Sequence, residues 1–99
     1  MFVALWEFEV KPGCEEKFDR VYGAEGAWAK LFARDTAYRG TRLVKDVERE
    51  RVYLTLDFWE SCEKYEKFKK ENVGEYERID RECEGMTVRE EKLGEFCSE

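Results

Sequence analysis

The feature that most constrains the fold is the point at which a predicted β-strand, Arg51–Trp59, runs into a predicted helix. Every second residue of this segment is aliphatic or aromatic, and a period of two is typical of a strand with a buried face. Ser61 follows as a helix N-cap, because its hydroxyl can accept a hydrogen bond from a free backbone N–H of the first turn. Tyr65 and Phe68 then begin an apolar stripe at helical spacing. The segment therefore predicts a β-α unit.

A second β-α unit is predicted at the start of the chain. Phe2–Val10 alternates as a strand whose one face is apolar throughout. Pro12 ends the strand because proline cannot donate a hydrogen bond to a central ladder. Gly13 can act as the N-cap of a helix that extends to about residue 32. Gly23 and Gly26 interrupt the helical pattern, and we expect a bend there.

The rest of the chain supplies two more strands. Tyr38–Asp46 is predicted to pair with the third strand as an antiparallel hairpin across the charged turn Val47–Glu50. In the second helix, Asn72–Gly74 weakens the pattern, so this helix can come in two pieces. Thr87–Glu90 fits either a capping box or a strand. A final edge strand is expected at Lys92–Cys97, or from an earlier residue.

The predicted order β-α-β-β-α-β is that of a ferredoxin-like α+β domain spanning residues 1–99, with a four-stranded antiparallel sheet. In this arrangement both helices cover one face of the sheet, and something else must cover the other. We expect the second face to carry the polar and aromatic row of the third strand, Tyr53, Thr55, Asp57 and Trp59. Aromatic residues are not usually left bare to water, so sheet-to-sheet packing of a homodimer would bury them.

Composition excludes several functions. A net charge of −6 argues against nucleic acids and anionic membranes as partners. No apolar stretch reaches the ~20 residues of a membrane span, and no signal peptide is recognisable, so a cytoplasmic location is expected. The chain has no histidine, which excludes Ser-His-Asp catalysis, histidine metal sites and haem ligation by histidine. No cofactor or metal is predicted, and the four cysteines are expected to be free thiols.

Four segments, taken together and in order, resemble the antibiotic biosynthesis monooxygenase-like family. They are Trp6–Gly13, Tyr22–Gly23 with Gly26–Trp28, Tyr38–Thr41, and Asp57–Ser61 with Tyr65 and Phe68. The resemblance covers nearly the whole chain and implies a dimeric α+β barrel in which two ferredoxin-like sheets pack together. The family includes cofactor-free oxygenases of polycyclic phenols, haem-degrading oxygenases and small proteins of unknown role.

The resemblance also assigns some residues. The haem-degrading branch has an Asn on the first strand, where this chain has Trp6, and a His on the second helix, where Lys69 or Lys70 stands. Haem degradation of that type is therefore not expected. The quinone-forming branch has a Trp and a Tyr six residues later beside its substrate, and Trp59 and Tyr65 match this pair. Thr55 stands where that branch has an Asn.

The candidate catalytic residues are Trp59, Tyr65 and Asp57, and the candidate substrate-binding residues are Trp6, Thr55 and Arg42. Trp59 and Tyr65 could stack on a flat phenol and supply a hydroxyl, but both could instead be core residues. Two alternatives exist for Asp57. It pairs with an arginine such as Arg42 across strands, or it lies in a cavity with a raised pKa.

Two hypotheses for function follow. The first is a small cofactor-independent monooxygenase acting on an electron-rich aromatic molecule, which predicts a cavity lined by Trp59, Tyr65 and either Asp57 or an arginine. The second is a non-catalytic dimeric protein that binds a hydrophobic small molecule or assists another protein, which is favoured by solidly packed aromatic residues. A redox role for Cys14 or Cys62, each in the first turn of a predicted helix where the helix dipole could lower a thiol pKa, is a third alternative.

Overall fold

The structure, a computed structural model, describes residues 1–98. The elements are β1 (Phe2–Val10), α1 (Glu15–Tyr22), α2 (Ala27–Phe32), β2 (Tyr38–Lys45), β3 (Val52–Trp59), α3 (Cys62–Glu71), α4 (Val73–Glu82) and β4 (Thr87–Cys97). The strands form one antiparallel sheet in the order β2-β3-β1-β4. The predicted ferredoxin-like α+β fold is confirmed, with each predicted helix divided into two. No helix within residues 1–98 has the length and apolarity required to cross a bilayer.

The helix boundaries follow from local contacts. Gly26 separates α1 from α2, and a Cβ there would lie 2.6 Å from the Val21 carbonyl carbon, so the chain can pass this closely only with glycine. Ser61 caps α3 as predicted, accepting a hydrogen bond from the Lys64 N–H at 3.2 Å. At the α3–α4 break the Asn72 side chain donates to a backbone oxygen of α3 at 2.8 Å, which satisfies a carbonyl group left free at the helix end.

The last strand, Thr87–Cys97, is longer than the predicted segment Lys92–Cys97. It begins at Thr87 and pairs with β1 from Val10 to Phe2, so Thr87–Glu90 is strand rather than a capping box. Two bulges, at Leu5/Trp6 and at Glu9/Val10, adjust the register along the way. A strand of this kind is hard to predict because its sequence alternates poorly and its pairing partner is distant along the chain.

The prediction for the two faces of β3 is wrong. Thr55 lies beside Trp6 and Asp57 beside Ala4, so the polar and aromatic row faces the helices together with the buried row of β1. Phe2, Ala4 and Phe8 on this side are almost completely buried. The alternation itself could not decide the orientation, because both rows of β3 contain large apolar side chains. The aromatic row is the one that interlocks with the aromatic residues of the helices.

Aromatic rings fill the space between the sheet and the helices. The ring of Phe18 stacks on Tyr22 with centroids 4.4 Å apart, and Trp59 packs against Phe68 at 5.1 Å. Trp59 is 0% exposed and is the largest of the fully buried side chains. This core holds the aromatic walls of the site described below in fixed positions.

The other side of the sheet, here named the open face, has no helix over it. Its centre is aliphatic and aromatic, with partly exposed side chains of Val3, Leu5, Leu54, Leu56 and Phe58. At one end Glu7 receives hydrogen bonds from Arg49 at 2.8 Å and Arg89 at 2.7 Å, and these arginines hold the pKa of the Glu7 carboxyl below its usual range. The open face is thus an apolar surface with a charged border.

Candidate functional site

A cavity of about 280 Å³ lies between the sheet and the helices. Seven aromatic side chains line it: Trp6 and Phe8 from the sheet, and Tyr22, Trp28, Phe32, Tyr65 and Tyr76 from the helices. Its size is at the lower end of the range for small-molecule sites, roughly 300–1,000 Å³, and matches a ligand of one or two rings. The aromatic walls favour a flat, apolar body, and the few polar side chains among them must set its orientation.

The most distinctive polar side chain of the cavity is Asp57. Thr41 lies beside it on β2, and its hydroxyl donates to Asp57 Oδ1 at 2.7 Å. The Tyr38 hydroxyl lies 2.5 Å from Thr41 Oγ1. Because the single proton of Thr41 is committed to Asp57, the Tyr38 hydroxyl is the donor in this second bond. A chain of two hydrogen bonds thus holds the carboxyl group in place.

Burial raises the pKa of Asp57 to about 6, while the hydrogen bond from Thr41 opposes the rise. Within residues 1–98 no cation pairs with Asp57, so its charge is uncompensated. A carboxylate of this pKa is ionised at neutral pH but takes up a proton readily, which is the property required of a general base. Asp57 therefore lies in a cavity and is not paired with Arg42 across the strands.

The structure brings together four of the six predicted site residues. Trp6, Thr55, Asp57 and Tyr65 line the cavity, and Tyr65 is only 6% exposed. Their chemical roles remain predictions.

The other two predicted residues, Trp59 and Arg42, lie elsewhere. Trp59 is packed among the rings of Phe32, Tyr38, Tyr65 and Phe68 and does not line the cavity. Arg42 is opposite Leu56 on the open face, so it cannot pair with Asp57. The two residues lie outside the cavity for different reasons. Trp59 is on the same side of the sheet as Asp57 but is enclosed by core rings, whereas Arg42 is on the opposite side.

Sequence reasoning missed the helical side of the cavity. Trp28 and Tyr76 are not among the predicted site residues, yet both line the cavity. The Tyr76 hydroxyl is buried and has no hydrogen-bond partner within residues 1–98, so it is free to contact a ligand. This lack of a partner could not be predicted from the spacing of residues. The one available signal was the pair Tyr76 and Asp80, four residues apart on one helix face.

Four further charged side chains line the cavity, two acidic and two basic: Asp80, Glu90, Lys69 and Lys92. Lys69 pairs with Glu66 at 3.3 Å, and its Nζ lies 4.4 Å from the centre of the Tyr65 ring. Lys92 pairs with Glu95. Asp80 and Glu90 are exposed, whereas Thr55, which lines the same cavity, is buried.

The tyrosines of the cavity are held in the neutral form. Burial raises the pKa of Tyr65, Tyr76 and Tyr22, and neighbouring carboxylates raise it further. Each hydroxyl is therefore a proton donor in hydrogen bonds rather than a base. This leaves Asp57 as the buried group of the cavity best suited to accept a proton.

The cysteines do not support a redox site. All four are free thiols. Burial and the nearby Glu95 and Glu66 raise the pKa of the Cys62 thiol, which is the opposite of the direction expected from the helix dipole. Potential ligand atoms of Cys62, Glu66 and Glu95 lie within 4.8 Å of one another, but both carboxylates already form ion pairs with lysines. These ion pairs compete with any cation for the same oxygen atoms.

No family model matches the sequence, and no curated protein matches it. Solved structures do match the fold. A candidate antibiotic biosynthesis monooxygenase from Bordetella bronchiseptica has a TM-score of 0.73 at 20% identity, covering 99% of this chain and 96% of that one. SnoaB, a cofactor-independent oxygenase from Streptomyces nogalater, has a TM-score of 0.67 at 15% identity, covering 99% of this chain and 92% of that one.

A third structure shows that the fold is shared more widely. An uncharacterised NIPSNAP domain protein from Burkholderia xenovorans has a TM-score of 0.72 at 11% identity, covering 100% of this chain and 95% of that one. Identities this low establish architecture and leave function to the site itself. The ferredoxin-like fold of one subunit is confirmed: this chain has the fold of the antibiotic biosynthesis monooxygenase-like proteins.

Proposed function

We propose that the protein is a cofactor-independent monooxygenase that acts on a small electron-rich aromatic molecule bound in the cavity. The observation that carries the proposal is Asp57, an uncompensated carboxylate with a pKa of about 6 inside an aromatic cavity. Oxygenases without a cofactor need a base that turns the substrate into an anion, because the anion itself must reduce oxygen. Asp57 supplies such a base.

The reaction would begin with transfer of a proton from a hydroxyl or an acidic C–H of the ligand to Asp57. The resulting anion donates electrons to O₂, and one oxygen atom forms a bond to a ring carbon. The other oxygen atom leaves as water, so a phenol and O₂ give a quinone and water. The proton moves between two groups within the cavity, so the total charge of the cavity does not change in the first step.

Other side chains would position the reactants. Thr41 and Tyr38 fix Asp57 through their two hydrogen bonds. Tyr65 and Tyr76, held neutral, could donate to a developing oxyanion on the ligand. Trp6 could stack on its ring. SnoaB, a cofactor-independent oxygenase with the same fold, supports the reaction class.

A second candidate function is a binding or accessory protein that uses the cavity without turnover. It is favoured by Trp59, the residue matched by the resemblance to the quinone-forming branch, which is fully buried and does not touch the cavity. If the reaction requires that tryptophan beside the substrate, this cavity would bind a ligand without oxidising it.

We also propose that the protein is a homodimer through the open face and that it is cytoplasmic. Uncovered apolar side chains in the middle of a sheet, including Leu56 and Phe58, favour a partner sheet over water. Free thiols at all four cysteines fit a reducing compartment.

The test is oxygen uptake with a panel of anthrones and naphthols, alongside ligand binding by tryptophan quenching. We expect uptake by the wild-type protein and a loss of about 100-fold or more in Asp57→Asn, the scale of general-base catalysis, with binding retained. Glu84→Gln, which removes an exposed carboxylate outside the cavity, is the matched control and should keep full activity. Binding without uptake would support the second function, and absence of binding would contradict both.

A further inference from the structure

We infer that the cavity selects aromatic ligands that carry a cationic amine, with the ammonium group at the carboxylates of Asp80 and Glu90 and the ring between the aromatic walls. This inference rests on the same cavity as the proposed function and names the class of molecule it takes. It does not depend on turnover.

The charges of the cavity are unbalanced. Asp57, Asp80 and Glu90 contribute three carboxylates, whereas the two lysines are already paired with Glu66 and Glu95 outside the lining. Within residues 1–98 no cation is paired with Asp80 or Glu90. Asp80 and Glu90 are exposed and need no partner in water, but together with Asp57 they leave a net negative charge that a cationic ligand can neutralise.

The carboxylates also act on one another and on the walls. The charge of Asp80 raises the pKa of Glu90, and Glu90 in turn raises the pKa of Tyr22. Asp57 raises the pKa of both Tyr65 and Tyr76. Every one of these effects has the sign of a negative field inside the cavity. Such a field disfavours a ligand carboxylate and favours an ammonium ion.

The aromatic walls form a suitable surface for a cation. Trp28 and Tyr76 meet at a centroid distance of 5.2 Å with their planes tilted by 59°, so they form a corner rather than a stack. Asp80 follows Tyr76 by one helical turn on the same face of α4. Two tilted π-faces next to a carboxylate are the arrangement that recognises ammonium ligands. Lys69, placed over Tyr65 at 4.4 Å, already uses a ring of this cavity in the same way.

Independent evidence for a ligand comes from polar groups that lack a partner. Within residues 1–98 the buried Tyr76 hydroxyl has none, whereas the Trp28 side chain is close enough to Tyr22 and Cys83 to oppose the rise that burial causes in the pKa of both. Tyr65 is more than nine-tenths buried and lines the cavity, and nothing within residues 1–98 hydrogen-bonds its hydroxyl. A tyrosine hydroxyl can accept a hydrogen bond from an ammonium group, and it can donate one to an oxygen of the ligand. The lining thus fits an aromatic amine that also carries a hydroxyl group, with the hydroxyl directed towards Asp57.

The test compares three naphthalenes that differ only in charge: 1-naphthylmethylamine, 1-naphthalenemethanol and 1-naphthoate. Binding to the full chain at pH 7 is measured by isothermal titration calorimetry. We expect the amine to bind at least ten times more tightly than the alcohol, and the naphthoate to bind more weakly than either. The double variant D80N/E90Q should lower the affinity for the amine to that for the alcohol and leave the alcohol unchanged.

A control variant, E48Q/E84Q, removes two exposed carboxylates outside the cavity and should leave all three affinities as they are. Binding of the alcohol reports an intact cavity in each variant, and the order of the three ligands on the wild-type protein decides the question even if D80N/E90Q does not fold. Four results would overturn the inference. On the wild-type protein they are equal binding of amine and alcohol, tightest binding of the naphthoate, or no binding of any ligand. The fourth is an amine preference that survives in folded D80N/E90Q. Oxygen uptake is not part of the readout, so failure here and failure of the proposed reaction are separate results.

Discussion

Replacing Asp57 by Asn is expected to make the protein more stable at neutral pH. Burial raises the pKa of this carboxyl from 3.8 to about 6, so the folded chain holds the proton more tightly than the unfolded chain does. Between about pH 4 and pH 6 the folded state binds more protons, and the free energy of unfolding falls as the pH rises through this window. Below the window both states are protonated and the stability is fully present. Above it, the native state contains an unfavourable buried charge.

The size of the effect follows from the shift. The pKa difference is about 2 units, and at 1.36 kcal/mol per unit the penalty above pH 6 is about 3 kcal/mol. Asn has nearly the same shape and keeps an oxygen that can accept the Thr41 hydroxyl proton. Asp57→Asn should therefore raise the free energy of unfolding by up to about 3 kcal/mol at pH 7–8 and leave it unchanged near pH 3.

The assay is urea unfolding followed by tryptophan fluorescence, for both proteins, at steps of one unit from pH 3 to pH 8. Subtracting the two curves removes the titration of the other acidic groups, which are common to both proteins. Glu84→Gln, which removes an exposed carboxylate outside the cavity, is measured alongside as the control. A difference for Asp57→Asn that does not change with pH would show that the pKa of Asp57 is not raised, and the argument for a general base would lose its support.

Three further predictions concern the core, the chain path and the open face. Trp59→Phe should lower the free energy of unfolding by about 1–3 kcal/mol because it leaves a void in the packed core. Ligand-induced quenching of fluorescence should decrease in Trp6→Phe, which alters the cavity lining, but not in Trp59→Phe. Gly26→Ala should destabilise the folded protein by about 1–3 kcal/mol because the added Cβ overlaps the backbone. Gly74→Ala should stabilise it by about 0.5–1 kcal/mol because the added Cβ faces open space in a helix. Urea unfolding measures both effects. Leu56→Lys should convert the proposed dimer into a monomer in analytical ultracentrifugation, and a monomeric wild-type protein would contradict the proposed interface.

Much of the fold could be predicted because the first and third strands alternate between two rows of side chains. Phe2–Val10 was predicted with the bounds that the structure has, and the third strand differs only at its first residue, Arg51. The break at Gly26 was also expected, since glycine interrupts a helical pattern. The start of the last strand was left open, because Thr87–Glu90 satisfies the local rules for two structures and only its pairing with the first strand decides between them.

The site was harder to predict, for a physical reason. Asp57 was recognised because a carboxylate between Thr55 and Trp59 is unusual in a strand. The orientation of that strand depends on which row of side chains fits the helices, and local sequence contains no information on this fit. For the same reason the helical half of the cavity, represented by Trp28 and Tyr76, could not be separated from ordinary core residues.

Neighbouring residues of β3 project to opposite sides of the sheet, so two sets of sequence requirements are interleaved at single-residue spacing. A point substitution can alter Asp57 without changing Leu56, and the two surfaces can therefore diverge independently. An insertion or deletion of one residue would instead exchange both rows at once, placing leucines in the cavity and the carboxylate on the outside. Descendants of this chain are expected to vary in the residues of β3 and to keep its length.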